Sequence, residues 1–186
     1  VVRRSLEAPV HVFNLTVESD NSYVAEGVGV HNCVGFSTAQ MKKIQEQIQS
    51  GVWLDFDGRG LWQQMGGVGN QGVDTRQTLE YVRSQGAWLL SDRNRRYKIQ
   101  EYAFVDLDRG FPAAMETIKA AVTVNRPPVL AMLLPTDFGV PISSGTGVRG
   151  VESYHQVVIV GYDQTHFEIL NSWGAQFGSG GFCKIP

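Results

Sequence analysis

The sequence predicts an α+β fold, with helices in the first part of the chain after residue 33 and strands towards its end. Two observations predict it. Apolar residues recur at helical spacing in three stretches between residues 37 and 122, and four short apolar runs follow Pro127. Helices first and strands later argue against an alternating parallel sheet. The 186 residues, 42% hydrophobic and 18% charged, suit one ordinary globular domain or two small lobes sharing an interface.

Residues 10–30 read as β structure. Val10, Val12, Leu15 and Val17 are interleaved with polar residues, and Asp20-Asn21-Ser22 signals a turn. Tyr23-Val24-Ala25 resumes a strand, Glu26-Gly27 breaks it, and Val28-Gly29-Val30 is a short last strand.

At Cys33 the character changes. Over 37–49, Ala39, Met41, Ile44 and Ile48 share one helical face in a stretch rich in Gln, Lys and Glu, and Gly51 stops it. Residues 51–72 hold seven glycines with Trp53 and Trp62, which predicts an ordered loop. A second helix fits 75–84, with Leu79 and Val82 inward and Gly86 as its stop. A third fits 111–122, with Met115, Ile118 and Val122 on one face. Strands are predicted over 129–134, 156–162, 167–170 and 181–185. There is no internal repeat and no low-complexity tract.

The net charge of −2 offers no case for nucleic acid or an anionic membrane as partner. Arg93, Arg95, Arg96 and Lys98 form a basic run that reads as a solvated face. No apolar run approaches the roughly 20 residues that span a bilayer. The basic start, Arg3 and Arg4, is not followed by the apolar region of a signal peptide. The chain opens without Met and stops abruptly at Pro186, so both ends are expected to be cut. Two cysteines cannot make a disulfide framework, and a nucleophilic Cys33 must stay reduced, which favours a reducing, cytoplasmic compartment. Cys183 reads as a small packed residue.

Three groups stand out as chemistry. Cys33 opens a helix, His155 opens an apolar strand, and Asn171 opens Asn171-Ser172-Trp173-Gly174. A thiolate, an imidazole and an orienting amide are what acyl transfer on sulfur needs. A neighbouring imidazolium and a helix N-terminus lower a thiol pKa. His155 then protonates the leaving amine, while Asn171 holds the ring through its side-chain carbonyl.

Order and flanks carry more than the residues alone. Cys33-Val34-Gly35-Phe36-Ser37-Thr38-Ala39, Tyr154-His155-Gln156-Val157 through Gly161-Tyr162-Asp163, and Ile169-Leu170-Asn171-Ser172-Trp173-Gly174 completed by 177–182 resemble the papain family of cysteine peptidases. The 16 residues from His155 to Asn171 match the family, as does Gly72-Val73-Asp74-Thr75-Arg76. The resemblance covers most of 33–186. It implies a two-lobed fold, helical over 33–103 and β-rich over 104–186, that cleaves peptide or protein substrates in a groove between the lobes. It implies that Trp173 shields the pair formed by Asn171 and His155, and that Gly72, Met132, Tyr154 and Gln156 contact substrate. No cofactor or metal is implied, because Cys33, His31 and His155 lack a fourth ligand at metal-site spacing.

The stretch before Cys33 departs from that family. It has no Gln between residues 27 and 32, where the family places the amide that donates to the oxyanion. Instead, Val12-Phe13-Asn14-Leu15-Thr16-Val17-Glu18 and Tyr23-Val24-Ala25-Glu26-Gly27 leading to His31-Asn32-Cys33 resemble the C-terminal end of an intein. This implies that 1–32 is an intein fragment that splices through Asn32 cyclisation, assisted by His31, with Cys33 accepting the incoming segment. Its partner is the intein N-terminal half with its extein, on another polypeptide or upstream of a cut. Two alternatives stay open: a peptidase with an inert N-terminal extension, and a non-catalytic binding module of the same fold.

Overall fold

The computed structural model describes residues 33–68, 72–106, 108, 110–135, 151–175 and 177–186, with backbone only for 133–135 and 151–154. The β structure expected over 10–30, together with His31 and Asn32, lies outside the described residues.

Helix α1, Cys33–Ser50, begins four residues before its periodic apolar face. Val34 and Gly35 are poor helix formers, so the early start has a tertiary cause. Gly35 lies against helix α2, Gly58–Gln64. A Cβ on Gly35 would sit 2.3 Å from the Gly58 carbonyl oxygen and 2.9 Å from Trp62 Cβ. The first turn of α1 therefore exists where two backbones meet without side chains between them. Lys42, on the same helix, is buried and paired with Glu46 one turn on.

The loop expected over 51–72 contains α2, a departure from the sequence reading. Asp57 caps it, its carboxylate accepting from Gly60 N–H at 2.7 Å. Leu61 is fully buried and Trp62 nearly so; burial of one such side chain contributes about 2 kcal/mol, enough to overcome the glycine content. Arg93 pairs with the same Asp57 from the far side. The basic run is exposed as expected, and part of it is also engaged: Arg96 stacks over Trp88 and Arg95 over Tyr97.

Helix α3, Thr75–Ser84, has the predicted bounds, capped by Asp74, whose side chain accepts from Gln77 N–H at 2.7 Å. Gly86, at φ 86°, ends it. Strands β1, Ala87–Trp88, and β2, Arg96–Tyr97, form a small antiparallel ribbon that the sequence reading did not anticipate. Helix α4 is Phe111–Thr123.

The second sheet has the order β3-β4-β5-β6, every neighbour antiparallel, from Val129–Pro135, Val151–Tyr162, Phe167–Leu170 and Phe182–Ile185. Strand β4 starts five residues before the predicted strand because Val151 to Gln156 pair with β3. Both faces are covered. Val158 and Leu170 join the core built on α1, α2 and α3, whereas Val157, Ile159, Phe167 and Ile169 pack with Val122, Met115 and Ile118 of α4. The strict alternation along β4 is the period of a strand buried on both sides.

Candidate active site

His155 lies on β4 and is buried, and its Cα register partner on β3 is Met132. Asn171 follows the last residue of β5 and is fully buried. Register brings the two strands side by side, and His155 Nε2 donates to Asn171 Oδ1 at 2.8 Å. The amide is held in that sense because Ser172 N–H donates to the same oxygen at 2.7 Å. An acceptor at Oδ1 fixes the tautomer: Nε2 carries the proton, and in the neutral ring Nδ1 carries the lone pair. Asn171 is anchored further by its N–H to Gly181 O at 2.9 Å and by Gln40 Nε2 to its carbonyl oxygen at 3.3 Å.

Trp173 stacks on the imidazole, ring centroids 4.9 Å apart and tilted by 33°, and Phe177 meets Trp173 edge-on at 5.3 Å. These rings form an apolar lid over the pair from His155 to Asn171, and a hydrogen bond shielded from water is stronger than an exposed one.

Cys33 heads α1 and is buried, and Ser37 on the same helix is bonded to Gln156, the residue next to His155. Burial pushes the Cys33 thiol up, while the backbone amides of Gln156, Val34 and Cys33 pull it back down. Burial likewise pushes the His155 imidazole below its ordinary range, opposed by the Asn171 hydrogen bond. Separately, each group resists charge.

Of the other residues singled out in the sequence, Gly72 is exposed on the approach to α3, with nothing within 4 Å of the place a Cβ would take. Met132 is half-buried and packs on the α4 side of the sheet. Tyr154 pairs through its backbone with Leu133. Gln156 is buried, and both ends of its amide are occupied: Nε2 donates to Ser37 Oγ at 2.7 Å, and Oε1 accepts from Thr75 Oγ1 at 2.5 Å. Sequence reasoning overlooked Ser37, Gln40 and Thr75. The one local signal was Ser37, four residues after Cys33, whose hydroxyl donates to the Cys33 carbonyl at 2.7 Å.

The sequence model described as "Papain family cysteine protease" matches residues 58–186, more than half of the chain. The chain belongs to the papain family of cysteine proteases. Thiol protease aleurain-like from Arabidopsis thaliana is 28% identical over 125 residues, covering 62% of this chain and 34% of that protein. Cysteine proteinase 2 from Zea mays is 29% identical over 125 residues, covering 62% and 33%. The chain thus spans about a third of the length of these plant relatives. Among solved structures, xylellain, a cysteine protease from Xylella fastidiosa, superposes with a TM-score of 0.68 at 20% identity, covering 84% of this chain and 73% of that one. The bromelain protease from Ananas comosus, in complex with the E64 inhibitor, gives 0.64 at 20% identity, covering 83% and 79%. These likenesses establish the papain-like α+β fold.

Among the described residues, no three His, Cys, Asp or Glu gather as a metal site, and no helix is long and apolar enough to cross a membrane.

Proposed function

We propose that residues 33–186 form a cysteine peptidase unit, with Cys33 as nucleophile, His155 as general base and then acid, Asn171 as orienting group and Trp173 as shield. The observation that carries this reading is the buried hydrogen bond from His155 to Asn171 beneath Trp173, with Cys33 at the head of the helix that Ser37 and Gln156 tie to β4. With Nε2 committed to Asn171, the proton from sulfur goes to Nδ1. The thiolate attacks the peptide carbonyl, the ring returns the proton to the departing amine, and water then hydrolyses the thioester. Substrate lies in a groove between a helical lobe, 33–103, and a β-rich lobe, 104–186, touching Gly72, Met132 and Tyr154. Two separate apolar clusters, one on each face of the sheet, support that division.

Residues 1–32 belong to the same reading as an intein C-terminal piece, supported by the motif ending His31-Asn32-Cys33. The Asn32 side-chain nitrogen attacks its own carbonyl carbon and closes a succinimide as the peptide bond to Cys33 breaks. His31 protonates the released amine. An N-terminal segment held as a thioester on Cys33 then moves from sulfur to that amine, restoring a peptide bond and a free thiol. Splicing requires the intein N-terminal half, in trans or upstream, and supplies the segment in which the family carries its oxyanion glutamine. The unspliced chain is therefore inactive on peptides, and the same sulfur serves ligation first and proteolysis afterwards.

Intact mass after incubation under reducing conditions, with and without the intein N-terminal half, tests the splicing step. Loss of 1–32 that disappears in Asn32→Ala is the expected result. Identical products from both chains, with the half present, leave 1–32 an inert extension. Labelling with E64 tests the peptidase: it modifies Cys33 of the ligated protein in preference to Cys183. Equal labelling of both cysteines makes the fold a binding module instead.

A further inference from the structure

The residue after His155 is a fully buried glutamine, and its side chain belongs neither to a solvated face nor to an apolar core. Three hydrogen bonds run in one direction through it. Thr75 Oγ1 donates to Gln156 Oε1 at 2.5 Å, Gln156 Nε2 donates to Ser37 Oγ at 2.7 Å, and Ser37 Oγ donates to the Cys33 carbonyl oxygen at 2.7 Å. Every donor in the chain points the same way, so each bond polarises the next. One side chain thereby joins the first residue of α3, the first turn of α1 and the strand that carries His155. Each end of its amide holds one internal partner, Thr75 at Oε1 and Ser37 at Nε2.

We infer that Gln156 is the positioning residue of the site, holding the Cys33 end of α1 in register with His155 through Ser37 while Thr75 fixes the amide from α3. This inference rests on the peptidase reading above. The physical need is plain. Cys33 and His155 come from elements far apart in the chain, and a thiol displaced by about 1 Å from its partner loses on the order of a hundredfold in rate. A backbone ladder holds together the strands beside His155 and Asn171, whereas among the described residues α1 meets that sheet through side chains. The Gln156 amide is the tie that reaches β4 itself, the strand of His155. Its neutrality matters as well: a carboxylate there would add a buried charge beside the pair.

The test is the pH profile of iodoacetamide alkylation of the full 186-residue chain, read by mass at each cysteine. Cys183 serves as the internal reference. In the unmodified chain Cys33 reacts faster than Cys183 at neutral pH. In Gln156→Met, which keeps length and packing but removes both amide bonds, Cys33 slows about tenfold or more near pH 7 and its profile moves to higher pH. Cys183 keeps its rate. An unchanged Cys33 profile in that variant overturns the inference and leaves the peptidase reading standing. Equal rates at the two cysteines in the unmodified chain sink the peptidase reading itself. A rise at both cysteines together marks loss of the fold, and Thr75→Val then decides, since it removes one bond at a half-exposed position. Slowing of Cys33 by about threefold in that variant supports the inference, and no change overturns it.

Discussion

The two halves of the site are held by different physics. His155 lies on β4 and Asn171 directly follows β5, 16 residues on, and the antiparallel ladder running from Val158 and Leu170 fixes those two strands before any side chain is considered. Cys33 is carried by a helix tied to the sheet by side chains, through bonds of Gln156 to Ser37 and Gln40 to the Asn171 carbonyl and through packing on Val158 and Leu170. The same helix lies against α2 through two glycines, Gly35 and Gly58, where even a methyl group meets backbone. A ladder distributes its free energy over many bonds and tolerates the loss of one. A point contact does not. The imidazole half should therefore lose chemistry without losing structure when cut, and the thiol half should lose both.

The largest expected effect is on the imidazole half. Asn171→Ala releases the ring and is expected to lower kcat of the ligated peptidase about a hundredfold, while the urea midpoint moves little because the β4 and β5 ladder remains. A collapse of stability matching the loss of rate would break the comparison. On the thiol half, Gly35→Ala is expected to cost about 2 kcal/mol, because the new Cβ meets the Gly58 carbonyl and cannot push it aside. Urea unfolding measures it, and Cys33 alkylation should slow in parallel. A stable Gly35→Ala protein with an unchanged Cys33 rate would mean that α1 and α2 are not tightly coupled.

Stability against pH sharpens the same comparison. His155 is held below its ordinary value of 6.5, so below about that pH the unfolded chain binds a proton that the folded ring refuses, and stability falls as pH falls. The thiols act in the opposite sense. Cys33 is held above 9.0, and burial pushes Cys183 up to about 11. Above pH 9 the unfolded chain loses protons that the folded state keeps, and stability falls as pH rises. Between these limits the folded and unfolded chains bind the same number of protons at these groups, so stability holds a plateau. Thermal melts from pH 5 to 10 are expected to show that plateau, and a steady slope across it would contradict the burial of both groups.

The smallest effect belongs to the hairpin between β4 and β5. The Asp163 carboxylate accepts from Lys184 and from the Thr165 and His166 backbone amides, which hold it well below the usual carboxylate range. Its contribution is present above pH 3.8 and lost as pH falls below it. Asp163→Asn should lower the melting temperature slightly at pH 7 and by progressively less as pH falls below 3.8, with no change in Cys33 alkylation.

Local signals determined a good deal of this protein. Helix α3 and strand β5 have the bounds that their patterns predict, and α4 extends one residue further. Capping by Asp74, a glycine stop at Gly86 and apolar spacing are written within a dozen residues, so they are legible without the fold. The meeting of His155 with Asn171 was legible too, because a strand and the turn after its neighbour keep a short, fixed separation. What needed the tertiary structure was whatever depends on a surface far away in the chain. Helix α2 forms inside a glycine-rich stretch because Leu61 and Trp62 find a core and Asp57 finds Gly60 and Arg93. The first turn of α1 forms on poor helix residues because Gly58 passes beside Gly35. Gln156 is bonded to Ser37 and Thr75 inside the fold, a meeting of three segments that no window of sequence contains.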